Sequence, residues 1–187
     1  MRDSVLVDGQ WRTGNGLPFQ NYCPATGDVV WDSASADKQD VEDAVESAQR
    51  AFAGWSRVPQ NERTSILQAY ASELETRSDQ IAEAISRDMG KALWESRAEA
   101  ATMVGKVAVS IKAQNERAGT KDLDAAFGSM HLTHRPHGVM AVYGPFNFPG
   151  HLPNGHIVPA LLAGNVCVFK PSELAPGVAS IMADAFD

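Results

Sequence analysis

The sequence predicts an α/β protein in which a run of helices leads into the start of a Rossmann-like parallel sheet. Two observations predict this fold class. Apolar residues recur every three or four positions along residues 37–117, which is the period of helices packed on one face. Beyond them, two short apolar runs at residues 139–143 and 166–170 flank a helical segment, which is the pattern of a strand–helix–strand unit.

The first 35 residues predict short strands joined by tight turns. Turn dipeptides recur there at residues 8–9, 15–16 and 26–27, each with glycine in the second position. Because β-prone residues lie between these turns, we expect chain reversals rather than helices in this segment.

Four consecutive helices are predicted after these strands. Asp37 can cap the first, Pro59 suits the first turn of the second, and the third begins at Ser78 and stops at Gly90. The fourth covers about residues 93–117. We expect the charged side chains of these helices to be mostly solvent-facing. The residues predicted to face inward are Val41, Ala44, Val45, Ala48, Phe52 and Trp55 in the first helix, Ile66, Leu67, Tyr70 and Leu74 in the second, and Ile81, Ala84, Ile85 and Met89 in the third.

Composition and charge narrow the classes of function. The chain has a formal net charge of -7 and no run of basic residues, which argues against a nucleic-acid partner. No apolar run approaches the ~20 residues needed to span a bilayer, and the amino terminus lacks the pattern of a cleavable leader, so we expect a cytoplasmic protein with no membrane partner. Cys23 and Cys167 match no metal or redox spacing, and we expect neither to act as a nucleophile.

Residues 121–138 predict an extended segment in which three histidines recur. His131, His134 and His137 stand three positions apart, a spacing that could suggest a metal site. In an extended chain, residues three apart point to opposite faces, so neighbouring members of this set diverge. We therefore expect exposed histidines and no bound metal.

The chemistry of the chain is concentrated near its carboxyl end. A turn bounded by glycine and proline at residues 144–150 presents Asn147, whose amide N–H can donate to an oxyanion without titrating. The next strand leads to Lys170 and Glu173, about 20 residues beyond the turn, as suits a nucleotide ribose at the carboxyl end of a parallel sheet. Glu173 can accept two hydrogen bonds from a ribose diol, and its charge repels a 2′-phosphate, which favours NAD over NADP.

Each of these residues also has an ordinary structural interpretation. Asn147 could be a turn residue that bonds its own backbone, and Glu173 could cap the helix that follows Pro171 and Ser172. The helix at the end of the chain is placed over residues 179–186. The G-x-G-x-x-G fingerprint of dinucleotide-binding turns is absent from the sequence. Spacing alone leaves both interpretations open.

Three motifs resemble those of the aldehyde dehydrogenase superfamily. They are GPFNFP at residues 144–149, PALLAGN at residues 159–165 and KPSE at residues 170–173. The resemblance covers the whole chain, because further landmarks of the superfamily lie at residues 7–11, 21–27 and 87–91.

A narrower likeness points to one branch of this superfamily. Residues 134–138 and 147–156 resemble the branch that oxidises a dianionic semialdehyde in bacterial arginine breakdown. Such a substrate requires positive groups near its binding tunnel, and Arg97, Lys106 and Lys112 on the fourth helix are available without being ranked by the sequence.

The resemblance implies the amino-terminal portion of the aldehyde dehydrogenase fold. Residues 1–120 would form the first part of an NAD-binding domain, residues 121–138 an extended oligomerisation arm, and residues 139–187 the first strand–helix–strand unit of that domain. The family's nucleophilic cysteine and general-base glutamate lie beyond Asp187. We therefore expect a fragment that is inactive alone and a homo-oligomer when the protein is full length.

The resemblance also implies roles for particular residues. Asn147 takes the place of the family's oxyanion donor, in a reaction where a cysteine thiolate attacks a small-molecule aldehyde and NAD accepts a hydride. A small Gly155 beside the substrate tunnel leaves room for a long substrate. The implied cofactor-binding residues are Tyr143, Gly144, Pro145, Phe146, Lys170 and Glu173, and the implied tunnel residues are Phe148, Leu152 and Gly155.

Two other interpretations remain open at this point. One is a non-catalytic nucleotide-binding or assembly module that ends naturally at Asp187, although a chain stopping within a helix would leave an unfinished sheet exposed. The other is a different branch of the superfamily, which acts on another aldehyde or passes the acyl group to coenzyme A.

Overall fold

The computed structural model describes residues 3–186, so the predicted domain limits at residues 1 and 187 lie outside it. The described residues form fourteen elements in the order that the sequence predicts, with short strands first, then helices, then a strand–helix–strand unit. The elements are β1 (Val5–Val7), β2 (Gln10–Arg12), β3 (Pro18–Tyr22), β4 (Val29–Ala34), α1 (Lys38–Trp55), α2 (Gln60–Thr76), α3 (Ser78–Met89), α4 (Leu93–Arg117), β5 (Thr120–Ala125), β6 (Gly128–Thr133), β7 (Val139–Tyr143), α5 (His151–Leu162), β8 (Val166–Lys170) and α6 (Pro176–Asp184).

The amino-terminal strands pair as two antiparallel hairpins, β1 with β2 and β3 with β4, which confirms the prediction for the first 35 residues. Side chains tie both hairpins to the carboxyl end of the described chain. The Trp11 indole N–H donates to a carboxylate oxygen of Asp184 at 2.8 Å, and the Asn21 amide donates to the Leu174 carbonyl at 2.8 Å. The first and last elements of the described chain therefore support each other.

The predicted cap of α1 is confirmed, but Val41 was wrongly placed in the core. Asp37 and Asp40 form a reciprocal capping box, in which each carboxylate accepts from the backbone N–H of the other residue. The first turn buries Asp40, which is 1% exposed and also accepts from Asn15, while Val41 is 52% exposed. Hydrogen bonding of this carboxylate decides which residue of the turn faces inward.

In α2 the inward stripe is narrower than the sequence predicts. Leu67, Tyr70 and Leu74 are buried as expected, but Ile66 is 47% exposed. The buried residues of α2 follow one another at intervals of three and four, and Ile66 lies about 100° of helix rotation away from its neighbour Leu67. Ile66 therefore falls outside the stripe that packs against α4 and α5.

One hydrophobic core joins α2, α3, α4, α5 and α6 to β7. β7 and β8 run parallel, with Val139 opposite Val166 and Tyr143 opposite Lys170, and α5 connects them. The strand–helix–strand prediction is therefore confirmed, with Pro159 inside α5. The residues that fill the core most completely are Leu67, Leu74, Ile81, Ile85, Met103, Val158, Leu162 and Val178.

Four charged residues of the helices are exceptions to the expectation that such side chains mostly face solvent. Asp40, Arg63, Asp88 and Glu99 are between 1% and 9% exposed. Three of these side chains form hydrogen bonds with the free backbone groups at the ends of other helices. These hydrogen bonds compensate for the cost of burying a charge. Arg63, for example, donates from Nε to the Leu162 carbonyl at the end of α5, at 3.1 Å.

The last helix begins three residues earlier than predicted. α6 starts at Pro176 rather than at residue 179, because proline is well suited to a first helical turn. The carboxylate of Asp88 on α3 accepts from the backbone N–H of Gly177 at 3.0 Å and thereby caps this helix. Ala175 occupies the N-cap position, so the interpretation of Glu173 as the helix cap is wrong.

The predicted extended segment forms an exposed hairpin of β5 and β6. His131 contacts Asp122 across the hairpin, and both His131 and His134 are exposed, as predicted. Within residues 3–186 no group of three or more His, Cys, Asp or Glu side chains is arranged to bind a metal ion. Of the helices in that range, none combines the length and apolar character that crossing a membrane requires.

Candidate functional site

The carboxyl ends of β7 and β8 form the edge where the predicted site residues lie. Their pairing continues one residue beyond the strands, because the Gly144 N–H donates to the Lys170 carbonyl at 2.9 Å. The turn that carries Asn147 leaves β7 at this edge, and Glu173 follows β8 at the same edge. The parallel register thus brings both motifs to one side of the sheet, as the sequence predicts.

Lys170 and Glu173 form an ion pair that faces solvent. The Lys170 ammonium nitrogen lies 3.1 Å from a carboxylate oxygen of Glu173, and both side chains are exposed. A hydrogen bond from its own backbone N–H, followed by the hydrogen bond and charge of Lys170, lowers the pKa of Glu173. Near neutral pH the pair therefore offers a charged acceptor and a donor side by side, which suits a vicinal diol.

Asn147 is exposed in the turn after β7, and an aromatic residue stands on each side of it in the sequence. Its side-chain amide makes no hydrogen bond to any residue between 3 and 186. The alternative in which Asn147 bonds its own backbone is therefore not supported by a contact among these residues. Tyr143 and Phe146, which precede it, are 75% and 56% exposed. The amide donor and two aromatic faces are thus accessible at this edge.

The path of the turn depends on a glycine at its start. A Cβ atom on Gly144 would lie 3.0 Å from a ring carbon of Phe169 and 3.2 Å from Cγ of Pro153. These contacts are closer than side chains ordinarily make, so the first residue of the turn passes close to both β8 and α5. Pro145 then follows in the half-buried part of the turn.

Glu99, which sequence reasoning missed, fixes the end of the turn. One oxygen of its buried carboxylate accepts from the backbone N–H groups of Gly150 at 3.1 Å and His151 at 3.2 Å. Its other oxygen pairs with Lys91 at 2.7 Å, and the Lys91 ammonium lies 4.0 Å from the ring centroid of Phe148. The signal for Glu99 was its helical spacing with the buried residues Ser96, Ala100 and Met103.

The helices that follow β7 and β8 both begin against a carboxylate from another helix. Glu99 occupies the start of α5 and Asp88 the start of α6. A helix N-terminus can bind a phosphate, but a carboxylate already placed there neutralises its partial positive charge. This arrangement agrees with the absence of a glycine-rich phosphate-binding fingerprint from the sequence, and it leaves the Lys170–Glu173 ion pair as the feature of this edge that suits a nucleotide ribose.

The implied substrate residues lie along one side of α5 and the turn before it. Phe148 and Leu152 are 39% and 38% exposed, and they provide an apolar surface. The space beside Gly155 is taken up by Lys106 of α4, because a Cβ atom on Gly155 would lie only 2.9 Å from Cε of that lysine. The surface therefore joins apolar side chains to a cation.

Neither cysteine has the surroundings of a reactive nucleophile at this edge. Cys167 lies within β8, and burial raises its pKa to about 11, so the thiolate is scarce at neutral pH. Cys23 is buried in the turn between β3 and β4; hydrogen bonds from the Thr26 side chain and from the Ala25 and Thr26 backbone lower its pKa, but its hairpin forms a sheet separate from that of β7 and β8.

A family model described as the aldehyde dehydrogenase family matches residues 11–187. N-succinylglutamate 5-semialdehyde dehydrogenase from Paraburkholderia xenovorans is 54% identical over 177 residues, which are 95% of this chain and 36% of that protein. N-succinylglutamate 5-semialdehyde dehydrogenase 2 from Caulobacter vibrioides is 52% identical over 187 residues, which are 100% of this chain and 39% of that protein. The chain thus spans 36% to 39% of the length of these curated relatives.

Solved structures show the same fold at lower sequence identity. An aldehyde dehydrogenase from Bartonella henselae matches with a TM-score of 0.93 and 26% identity, over 99% of this chain and 39% of that one. An aldehyde dehydrogenase C mutant from Pseudomonas syringae, solved with NAD+ and octanal, matches with a TM-score of 0.91 and 29% identity, over 99% of this chain and 38% of that one.

Proposed function

The chain belongs to the aldehyde dehydrogenase family, and on that premise we propose that it forms the amino-terminal part of an NAD-dependent enzyme that oxidises N-succinyl-L-glutamate 5-semialdehyde to N-succinyl-L-glutamate. The reaction serves bacterial arginine breakdown by the succinyltransferase route. The identity of 52% to 54% with two proteins named for this substrate supports the choice of branch. The structural observation that carries the proposal is the accessible amide of Asn147 at the same sheet edge as the Lys170–Glu173 pair.

In this proposal Lys170 and Glu173 bind the ribose of the adenosine half of NAD. Glu173 accepts from the two ribose hydroxyl groups, and Lys170 donates to one of them while keeping the acid in place. The lowered pKa of Glu173 keeps it charged near neutral pH, so a 2′-phosphate would meet repulsion and NAD is preferred over NADP. When bound, NAD supplies the hydride acceptor. Tyr143, Gly144, Pro145 and Phe146 line the cleft in which the cofactor lies.

Asn147 stabilises the oxyanion that forms when the aldehyde carbon is attacked. Its amide N–H carries no titrating proton, so it donates a hydrogen bond at every working pH. Glu99 and Lys91 keep the turn in place through Gly150 and Phe148, so that the amide needs little reorganisation during the reaction. Phe148, Leu152 and Gly155 border the substrate on the adjoining surface.

The hairpin of β5 and β6 takes part in assembly of a homo-oligomer. Leu123 is paired with Met130 in its register, and Leu132 lies on the same face because side chains alternate along a strand. All three are about half exposed, at 52%, 45% and 49%. An apolar strand face of this kind favours burial against another chain. A cytoplasmic location is part of the same proposal.

Replacing Asn147 by alanine in the full-length enzyme tests the catalytic part of the proposal. Loss of one preorganised oxyanion donor lowers kcat by about 10²–10³-fold. Steady-state kinetics with NAD and the semialdehyde measure the change. Asn61→Ala, which alters an exposed asparagine of α2, is the matched control and leaves kcat unchanged. If the Asn147→Ala enzyme keeps the kcat of the unaltered protein, Asn147 takes no part in stabilising the oxyanion.

A further inference from the structure

Three cations of α4 are available to a negatively charged substrate, and the structure separates them. Arg97 pairs with Asp79 at 3.5 Å and Lys112 pairs with Glu116 at 3.9 Å, and both cations are exposed. Lys106 is half-buried, and no carboxylate among residues 3–186 lies within ion-pair distance of its ammonium group. Among these three cations Lys106 is therefore the one whose charge is free to meet a ligand; the fourth cation of α4, Arg117, is the last residue of the helix.

Lys106 reaches from α4 onto the surface of α5. A Cβ atom built on Gly155 falls 2.9 Å from its Cε atom and 3.7 Å from its ammonium nitrogen. The absence of a side chain at Gly155 is what lets the lysine lie against this helix. Any larger residue at that position would compete with Lys106 for the same space.

The ammonium group also lies near His151, one turn before Gly155 on α5. Burial, and then the charge of Lys106, lower the pKa of His151, so this histidine is neutral near pH 7 and adds no second charge. The His151 ring meets the Phe148 ring edge to face, with centroids 6.2 Å apart. Phe148, the residue after Asn147, thus contacts His151, and the charge of Lys106 acts on His151.

We propose that Lys106 binds a carboxylate of the aldehyde substrate and thereby selects anionic substrates over neutral ones. The inference rests on the proposed function, since it assigns the recognition of charge to Lys106 beside Gly155, a residue that borders the substrate in that proposal. A half-buried ammonium without a carboxylate partner from the chain gains a charge-assisted hydrogen bond when an anion arrives. Gly155 contributes to this binding indirectly, because the lack of a side chain there leaves the space that Lys106 occupies.

The test compares two aldehydes in the full-length enzyme. Lys106→Met lowers kcat/KM for N-succinyl-L-glutamate 5-semialdehyde by about 10- to 100-fold, mainly through KM, as expected for loss of a hydrogen bond to a charged group. The same change leaves kcat/KM for hexanal, an unbranched neutral aldehyde, within about twofold. Gly155→Ala shifts the selectivity in the same direction, because its methyl group displaces the lysine.

Lys112→Met is the matched control, since it removes a lysine of α4 that already has a partner, and it changes neither value. An equal loss with both aldehydes, or no loss with either, would overturn the role of Lys106 while leaving the proposed function intact.

A wild-type enzyme that does not oxidise the semialdehyde would instead refute the proposed function. In that event, calorimetric binding of N-succinyl-L-glutamate decides the inference separately. Binding weakened about 10-fold or more by Lys106→Met supports it, and equal affinities overturn it.

Discussion

Glu99 is the residue on which the geometry of the turn that carries Asn147 depends. It contacts no substrate in the proposed reaction, yet its carboxylate joins Gly150, His151 and Lys91 through three short contacts. Lys91 in turn contacts the face of Phe148, the residue after Asn147. The buried carboxylate of Glu99 therefore helps to position the Asn147 amide without contacting it.

Replacing Glu99 by alanine destabilises the protein by about 3–5 kcal/mol, because it leaves Lys91 and two backbone N–H groups of α5 without their buried partner. Denaturant unfolding measures the change. Glu95→Ala, one turn earlier on α4 and exposed, is the control and costs less than about 0.5 kcal/mol. A Glu99→Ala protein as stable as the control would show that the buried contacts do not stabilise this turn.

Glu173 decides the choice of cofactor in this account. Glu173→Gln keeps the size of the side chain and an acceptor but removes the negative charge that opposes a 2′-phosphate. We expect the preference for NAD over NADP, expressed as a ratio of kcat/KM values, to fall by about tenfold or more, as the loss of one charge repulsion predicts. Kinetics with the two cofactors measure the ratio.

Glu75→Gln, at an exposed acid of α2, is the control for that measurement and leaves the ratio unchanged. A preference for NAD that survives Glu173→Gln would mean that another group excludes the phosphate.

Residues that follow a strand were predictable from the sequence, whereas those that act across the fold were not. Lys170 and Glu173 were predicted to meet at the carboxyl end of β8, and the structure places them in an ion pair. Glu99 caps a helix that begins some fifty positions later, and although its helical spacing hints at burial, its partners cannot be read from its neighbours in the chain. Lys106 could not be ranked above Arg97 for the same reason, since the ranking depends on which carboxylates lie nearby.

At the level of elements, the helices and strands followed from local pattern, and the errors arose where a contact from elsewhere decided the outcome. α6 begins at Pro176 because Asp88 of α3 caps it. Ile66 is exposed because the stripe of α2 that meets α4 and α5 is narrow. Periodicity predicts which face of a helix is apolar, while the width of the buried stripe is set by the partners.

The β5–β6 hairpin carries the element-level prediction. Leu123→Asp places a charge on its apolar face, and burying an unpaired carboxylate in an interface weakens assembly of the full-length protein by at least about tenfold. Sedimentation velocity across a concentration series measures the dissociation. Asp124→Asn, on the opposite face of the same strand, is the control and leaves assembly unchanged. An oligomer that withstands Leu123→Asp would exclude this face from the interface.

At the level of the whole molecule, one core connects the parts that the sequence divides. Residues of α2, α3 and α4 pack in the same hydrophobic cluster as β7, α5 and α6. The predicted division into three parts, residues 1–120, 121–138 and 139–187, therefore stays a prediction. The first and third parts share one hydrophobic core, and the β5–β6 hairpin between them is exposed. This shared core is what brings Glu99 and Lys106 of α4 onto α5, the helix that follows the turn with Asn147.

The most direct test of the proposed function is oxidation of N-succinyl-L-glutamate 5-semialdehyde by the full-length protein with NAD, monitored by cofactor reduction and by identification of the product. We expect free N-succinyl-L-glutamate without added coenzyme A, a kcat/KM of about 10⁴ M⁻¹s⁻¹ or more, and a preference for this substrate over hexanal and for NAD over NADP. Product formation that requires coenzyme A, or a higher kcat/KM for the neutral aldehyde, would contradict it.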